Sequence, residues 1–146
     1  MKLAVGADER LHVVEVVLDY LREKGHQVVW YGPEGEGETV PWPQVARQVA
    51  EDVAAGRADE GVLLCWTGTG VSIAANKVRG VRAALCDDAE TARGARLWND
   101  ANVLCLSMRR TSDVMAKEIL DAWFATSDQP NPTDDACLAL LRELDE

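Results

Sequence analysis

Short apolar runs alternate with amphipathic stretches from one end of this chain to the other. Lys2–Ala7 is apolar and closed by Gly6 and Asp8, as a first strand would be. Arg10–Lys24 carries Leu11, Val14, Val17, Leu18 and Leu21 at helical spacing, and Gly25 stands just past its end. Gln27–Tyr31 reads as a second strand. Residues 32–41, rich in glycine, proline and glutamate, read as an exposed loop. Trp42–Ala55 is helical through Val45, Val49 and Val53, with Gly56 as its stop. Gly61–Cys65 is long enough for a buried parallel strand and too short for a helix; a helix follows from about residue 70. Val81–Cys86 reads as a fourth strand, and Asp87 and Asp88 cap a helix to about Trp98. Val103–Leu106 is the fifth strand, and Ser112 caps a helix carrying Val114, Ile119, Leu120 and Trp123. A polar, proline-containing stretch over 125–133 precedes a last helix, Asp134–Leu144.

Five strands alternating with helices predict one domain over residues 1–146. Its class is α/β: three layers, α/β/α, around a five-stranded parallel, Rossmann-like sheet. Ligands in such sheets bind beyond the carboxyl ends of the strands, where the strand order reverses. If the first and third strands are neighbours, Asp8 and Cys65 face one another across that crevice.

The segment Cys65-Trp66-Thr67-Gly68-Thr69-Gly70-Val71 carries the most chemistry. A strand, a glycine loop and a helix in that order point several backbone N–H groups into one concavity, which stabilises a bound anion or an oxyanion formed in a reaction. A cysteine beside it is suited to carrying a proton. Two plainer readings stay open on the residues alone. A cysteine at a strand end also serves as a small hydrophobe, and tight turns use glycine for many purposes.

Composition narrows the classes. Hydrophobic residues at 47% and charged residues at 27% suit a globular protein. A net charge of −10 opposes a nucleic-acid backbone, so no nucleic-acid partner is expected. No apolar stretch approaches the roughly 20 residues of a membrane span. The first residues do not read as a signal peptide, so a cytoplasmic location and no membrane partner are expected. Cys65, Cys86, Cys105 and Cys137 show no C-x-x-C spacing and read as reduced thiols. No metal or cofactor is implied.

Several motifs together resemble the family of ribose-5-phosphate isomerase B and galactose-6-phosphate isomerase. They are the G-x-D opening at Gly6–Asp8, L-L-C-x-T-G-x-G-x-S-I-A-A-N-K at Leu63–Lys77, G-V-R-A-A-x-C at Gly80–Cys86 and N-D-A-N-V-L at Asn99–Leu104. The resemblance implies an aldose–ketose isomerase working through an enediolate. Cys65 would be the base, and the loop from Thr67 through Gly68, Thr69 and Gly70 to Val71 would hold the enediolate oxygen. Asp8 would bind sugar hydroxyls, and Asn99 would contact the oxygen near C1. Arg109 and Arg110 match the expected phosphate arginine. A homodimer or tetramer is implied, with the active site at the dimer interface and the last helix crossing to the partner.

The chain also departs from that pattern. Glu9 stands where the family has a phosphate-binding histidine. Trp98 stands where it has a ring-opening histidine, and Trp66 where a small residue is usual. No Lys or Arg follows the start of the last helix until Arg142. The pocket is therefore less basic and more aromatic than ribose 5-phosphate calls for. Arg10, His12 and Arg142 are the candidates to replace the missing cations, and His26 reads as surface. Two functions remain open: an isomerase of a carbohydrate-like small molecule other than ribose 5-phosphate, and a protein that binds a carbohydrate-like or aromatic ligand without isomerase activity.

Overall fold

A computed structural model describes all residues from Met1 to Glu146. Its strands are β1 (Lys2–Ala7), β2 (Gln27–Tyr31), β3 (Glu60–Cys65), β4 (Ala83–Leu85) and β5 (Val103–Ser107). They form one parallel sheet in the order β2-β1-β3-β5-β4. The helices are α1 (His12–Glu23), α2 (Trp42–Ala54), α3 (Thr69–Ala75), α4 (Ala89–Asn99), α5 (Asp113–Ala125) and α6 (Pro132–Glu143). Helices α2 and α3 pack together over one face of the sheet, and α1 and α4 flank α5 on the other. This is the three-layer α/β/α class that the alternation predicts.

The central strands are hydrophobic along their whole length because helices cover both faces. Val62, Leu63, Leu64, Val103, Leu104, Cys105 and Leu106 are fully buried. The chain leaves β1 for β2 on one side and comes back to β3 on the other. The order therefore reverses between β1 and β3, which opens a crevice at their carboxyl ends.

Element ends differ from expectation where side chains intervene. Helix α1 starts at His12 rather than Arg10, because residues 8–10 are held otherwise. The backbone of Glu9 bridges Thr39, the Val40 N–H donates to the Asp8 carbonyl at 3.0 Å, and Arg10 clamps Glu15 at 2.6 and 3.0 Å. Strand β4 has three residues rather than six: the Asn102 side chain takes the Arg82 N–H at 2.7 Å, and Asn76 takes that of Ala83 at 2.8 Å. Helix α6 begins at Pro132, two residues early. Asn131 caps it by accepting from Thr133 and Asp134, and proline suits the first helical position.

Strand β3 takes in Glu60, a charge the apolar pattern leaves out. Glu60 is buried and accepts from Trp123 Nε1 at 2.7 Å and pairs with Arg96 at 3.0 Å. Burial holds its carboxyl above the ordinary value, against the pull of Arg96. Helix α6 packs on α4 of its own chain through the buried Leu138, and Asp145 accepts the Gly80 N–H at 3.0 Å. Leu140, Leu141 and Leu144 stay exposed.

Candidate active site

The register aligns the ends of three strands. Ala7 pairs with Leu64 and Cys65 with Ser107, so Asp8, Cys65 and Ser107 stand side by side at the carboxyl edge of the sheet. The next residues are tied to β5. The Met108 N–H donates to the Cys65 carbonyl at 2.9 Å, and the Trp66 carbonyl accepts from the Arg109 N–H at 3.0 Å and the Ser107 hydroxyl at 3.1 Å. Gly68 then turns the chain into α3 with φ of 74°. A β-carbon there would lie 2.5 Å from Leu85 Cδ1 and 2.9 Å from the Leu106 carbonyl carbon, so only glycine fits.

The turn leaves its donors free. The backbone N–H groups of Thr67, Gly68, Thr69, Gly70 and Val71 meet no protein acceptor, and the Thr67 and Thr69 hydroxyls bond to each other at 2.7 Å. Beside Cys65 at the strand ends, Oδ1 of Asp8 is buried without a hydrogen-bond partner. Burial raises the Asp8 carboxyl above its ordinary value, and the charge of Glu9 adds to this. A buried acceptor with no partner and a row of unpaired donors are complementary to a ligand carrying both hydroxyls and negative charge.

A cavity of about 600 Å³ opens above the loop, lined by Thr67, Thr69, Leu85, Asp87, Ser107, Arg109 and Arg110. Neither Arg109 nor Arg110 forms an ion pair, unlike Arg10, Arg47, Arg57, Arg82, Arg93 and Arg96. Their charges therefore remain available to an anion. Cys65 is 5% exposed and lies just before the loop. The other thiols lie away from the loop. Cys86 is pushed up to about 12 by burial and then by Asp87 and Asp88, Cys105 is raised by burial, and Cys137 sits on exposed α6.

Not every expected residue meets in one place. Trp98 and Asn99 line a second cavity, of about 490 Å³, that shares Leu85 with the first. Trp66 is exposed beside the loop, and Glu9 is half-buried next to Asp8 with no side-chain partner. The replacement cations are engaged elsewhere: Arg10 is held by Glu15, and His12 Nε2 lies 2.9 Å from Asp113. Arg142 lines a third cavity, between α6 and Asn76, that shares Ala84 and Asn99 with the second and does not reach the glycine loop. Ser107 and Asp87 are additions. Asp87 reads as a helix cap from sequence, but Asp88 is the cap, accepting from Thr91 at 2.7 Å. Ser107 carries no signal until β5 is known to lie beside β3.

Parallel sheet, switch-point crevice and glycine loop define an α/β protein with unpaired donors and free arginines at its strand ends. Residues 3–135 match the family described as Ribose/Galactose Isomerase, and the chain belongs to that family of sugar phosphate isomerases. It is 40% identical over 124 residues to a D-erythrulose-4-phosphate isomerase of Pectobacterium atrosepticum, covering 84% of this chain and 82% of that one. It is also 40% identical over 123 residues to ribose-5-phosphate isomerase B of Escherichia coli, with coverage of 84% and 82%. The solved structure of Clostridium thermocellum ribose-5-phosphate isomerase B superposes with a TM-score of 0.93 at 35% identity, covering 99% of this chain and 97% of that one.

Proposed function

We propose that this chain interconverts an aldose phosphate and its ketose through an enediolate, with Cys65 as the base. One observation carries the reading: the unpaired backbone donors from Thr67 to Val71 directly follow Cys65, which stands beside Asp8 and its buried free oxygen at the strand ends. The Cys65 thiolate takes the C2 proton, and the C2–H electron pair becomes the C1=C2 bond as the C1=O1 pair moves onto O1. Asp8 relays the O2 proton to O1. The C2=O2 bond then forms while C1 recovers a proton from the Cys65 thiol. The loop donors stabilise the oxyanion throughout, and Asn99 contacts the C1 oxygen. Arg109 and Arg110 hold the phosphate.

Deuterium exchange tests this directly. A sugar phosphate incubated with the protein in heavy water is expected to gain deuterium at the carbon next to the carbonyl, read by proton NMR. Binding without any exchange would favour the second reading, a ligand-binding protein, to which the half-buried unpaired Glu9 and the aromatic Trp66 and Trp98 lend support.

The active form is a dimer or a tetramer. Support comes from the exposed Trp42, Trp66, Ile73, Leu85 and Trp98, and from Leu140, Leu141 and Leu144 on α6, which a neighbouring subunit would cover. Sedimentation at micromolar concentration is expected to give a multiple of 15.9 kDa; a species of 15.9 kDa alone would remove this assembly.

A further inference from the structure

The backbone turns left-handed at one residue that is not glycine. Asp100, directly after α4, has φ of 46° and ψ of 43°, and every other positive φ in the chain falls on glycine. Helices often end on such a residue, with the following N–H reaching back to the last turn. Here the Ala101 N–H donates to the Ala95 carbonyl at 3.1 Å. Glycine takes that conformation freely, whereas a β-carbon crowds the backbone. Strain of this kind persists only where the surroundings hold it, and it gathers at functional sites.

Two arginines hold it. Arg82, one residue before β4, donates from Nε to the Asp100 carbonyl at 2.6 Å and from Nη2 to its carboxylate at 3.4 Å. Arg96 donates to the Ala101 carbonyl. Asn102 closes the turn from its far side, accepting from the Arg82 N–H at 2.7 Å and donating to the Gly80 carbonyl at 2.9 Å. The stretch from Asn99 to Asn102 is thereby fastened to the edge of the sheet, where β4 lies. Glycine at position 100 would keep the turn but would offer no carboxylate to Arg82.

Asn99 is the residue this turn delivers. It is the last of α4, the place where a helix frays. The other three asparagines use their side-chain amides within the chain. Asn76 bonds to Ala83, Asn102 to Arg82 and Gly80, and Asn131 to the start of α6. The Asn99 amide makes no such bond and lines the cavity that holds Trp98 and Leu85. Its side chain does not fix its own place, so the backbone must.

We propose that Asp100 and Arg82 are positioning residues that hold the Asn99 amide at the reacting oxygen. The inference rests on the isomerase reading, in which Asn99 contacts the C1 oxygen. The experiment measures kcat and KM with D-erythrulose 4-phosphate or D-ribose 5-phosphate, whichever the wild-type chain turns over faster. Asp100→Ala, Arg82→Met and Asp100→Asn are each made in the wild-type chain and in Asn99→Ala. In the wild-type chain, Asp100→Ala and Arg82→Met are expected to lower kcat by about 10–10²-fold with KM little changed. A displaced donor is missed most where charge develops in the transition state. Asp100→Asn tolerates the left-handed turn and still accepts from Arg82, so it is expected to restore most of kcat. In Asn99→Ala, neither Asp100→Ala nor Arg82→Met is expected to add to the loss, because both act through Asn99. The same fold loss in both backgrounds, or wild-type kcat in Asp100→Ala and Arg82→Met, overturns the positioning role and leaves the isomerase reading standing. Wild-type kcat in Asn99→Ala overturns it as well, by removing the residue it acts through. Should Asp100→Ala fail to fold, Arg82→Met in the two backgrounds decides by the same criterion. No turnover of either sugar phosphate by the wild-type chain overturns the isomerase reading and this inference together.

Discussion

Replacing Cys65 by alanine is expected to abolish isomerisation and solvent exchange while leaving the protein folded. On the proposed mechanism the Cys65 thiol carries the carbon-bound proton, and removing such a group lowers rates by about 10²–10⁴-fold. Its structural contribution is small: the variant loses one sulfur atom from the end of β3, and the Met108 N–H still donates to the backbone carbonyl. A stability change of about 1 kcal/mol, ordinary for a single substitution, is expected in urea denaturation. Full exchange activity in the variant would move the base to Asp8, whose carboxyl burial already raises. Loss of activity together with collapse of the fold would show that Cys65 serves packing, the plainer reading of the sequence.

The largest loss of stability is expected from Arg96→Met, far from the crevice. Its guanidinium meets Glu60 at 3.0 Å and also donates to the carbonyl oxygens of Thr126 and Ala101. Both side chains are nearly buried, so the change leaves a carboxylate in the core with only Trp123 Nε1 as a donor. Breaking a buried pair in this way costs about 3–5 kcal/mol. The double variant Glu60→Gln/Arg96→Met removes the orphaned charge and is expected to regain part of that loss, because neighbouring effects are not additive. The pH dependence has a definite sign. The folded carboxyl lies above its unfolded value, so its protonated form is favoured by folding and stability is lost as pH rises through the folded pKa. Losing Arg96 raises that pKa further. The penalty should therefore be large at neutral pH and shrink in acid; an equal loss at both would show that the pair's charge is not its cause.

Much of this molecule is legible in the order of its residues. Gly61–Cys65 announces a buried strand because parallel strands covered on both faces are apolar without alternation. Asp8 and Cys65 could be placed together because the reversal of strand order was the only assumption needed. Glu60 escapes such a reading for the converse reason. Its partners Arg96 and Trp123 lie 36 and 63 positions away, and no local pattern marks a carboxylate that burial, rather than solvent, surrounds. Ser107 and Asp87 are hidden likewise, since their place at the crevice depends on β5 lying next to β3 and β4 next to β5. Arg10 looked like a spare cation from sequence; the chain spends it on Glu15 and on the face of Trp30, 4.8 Å away.

The five tryptophans give the protein a built-in spectroscopy. Trp123 is wholly enclosed beside Glu60, so its emission reports only the integrity of the core. Trp66 stands half in water beside the glycine loop, and Trp98 half in water in the cavity that shares Leu85 with the first, where a bound sugar or a second subunit would dry them. Occupancy of the crevice and unfolding thus shift the fluorescence in opposite directions, toward the blue and toward the red. A single titration followed at two wavelengths can separate ligand capture from loss of structure without any label.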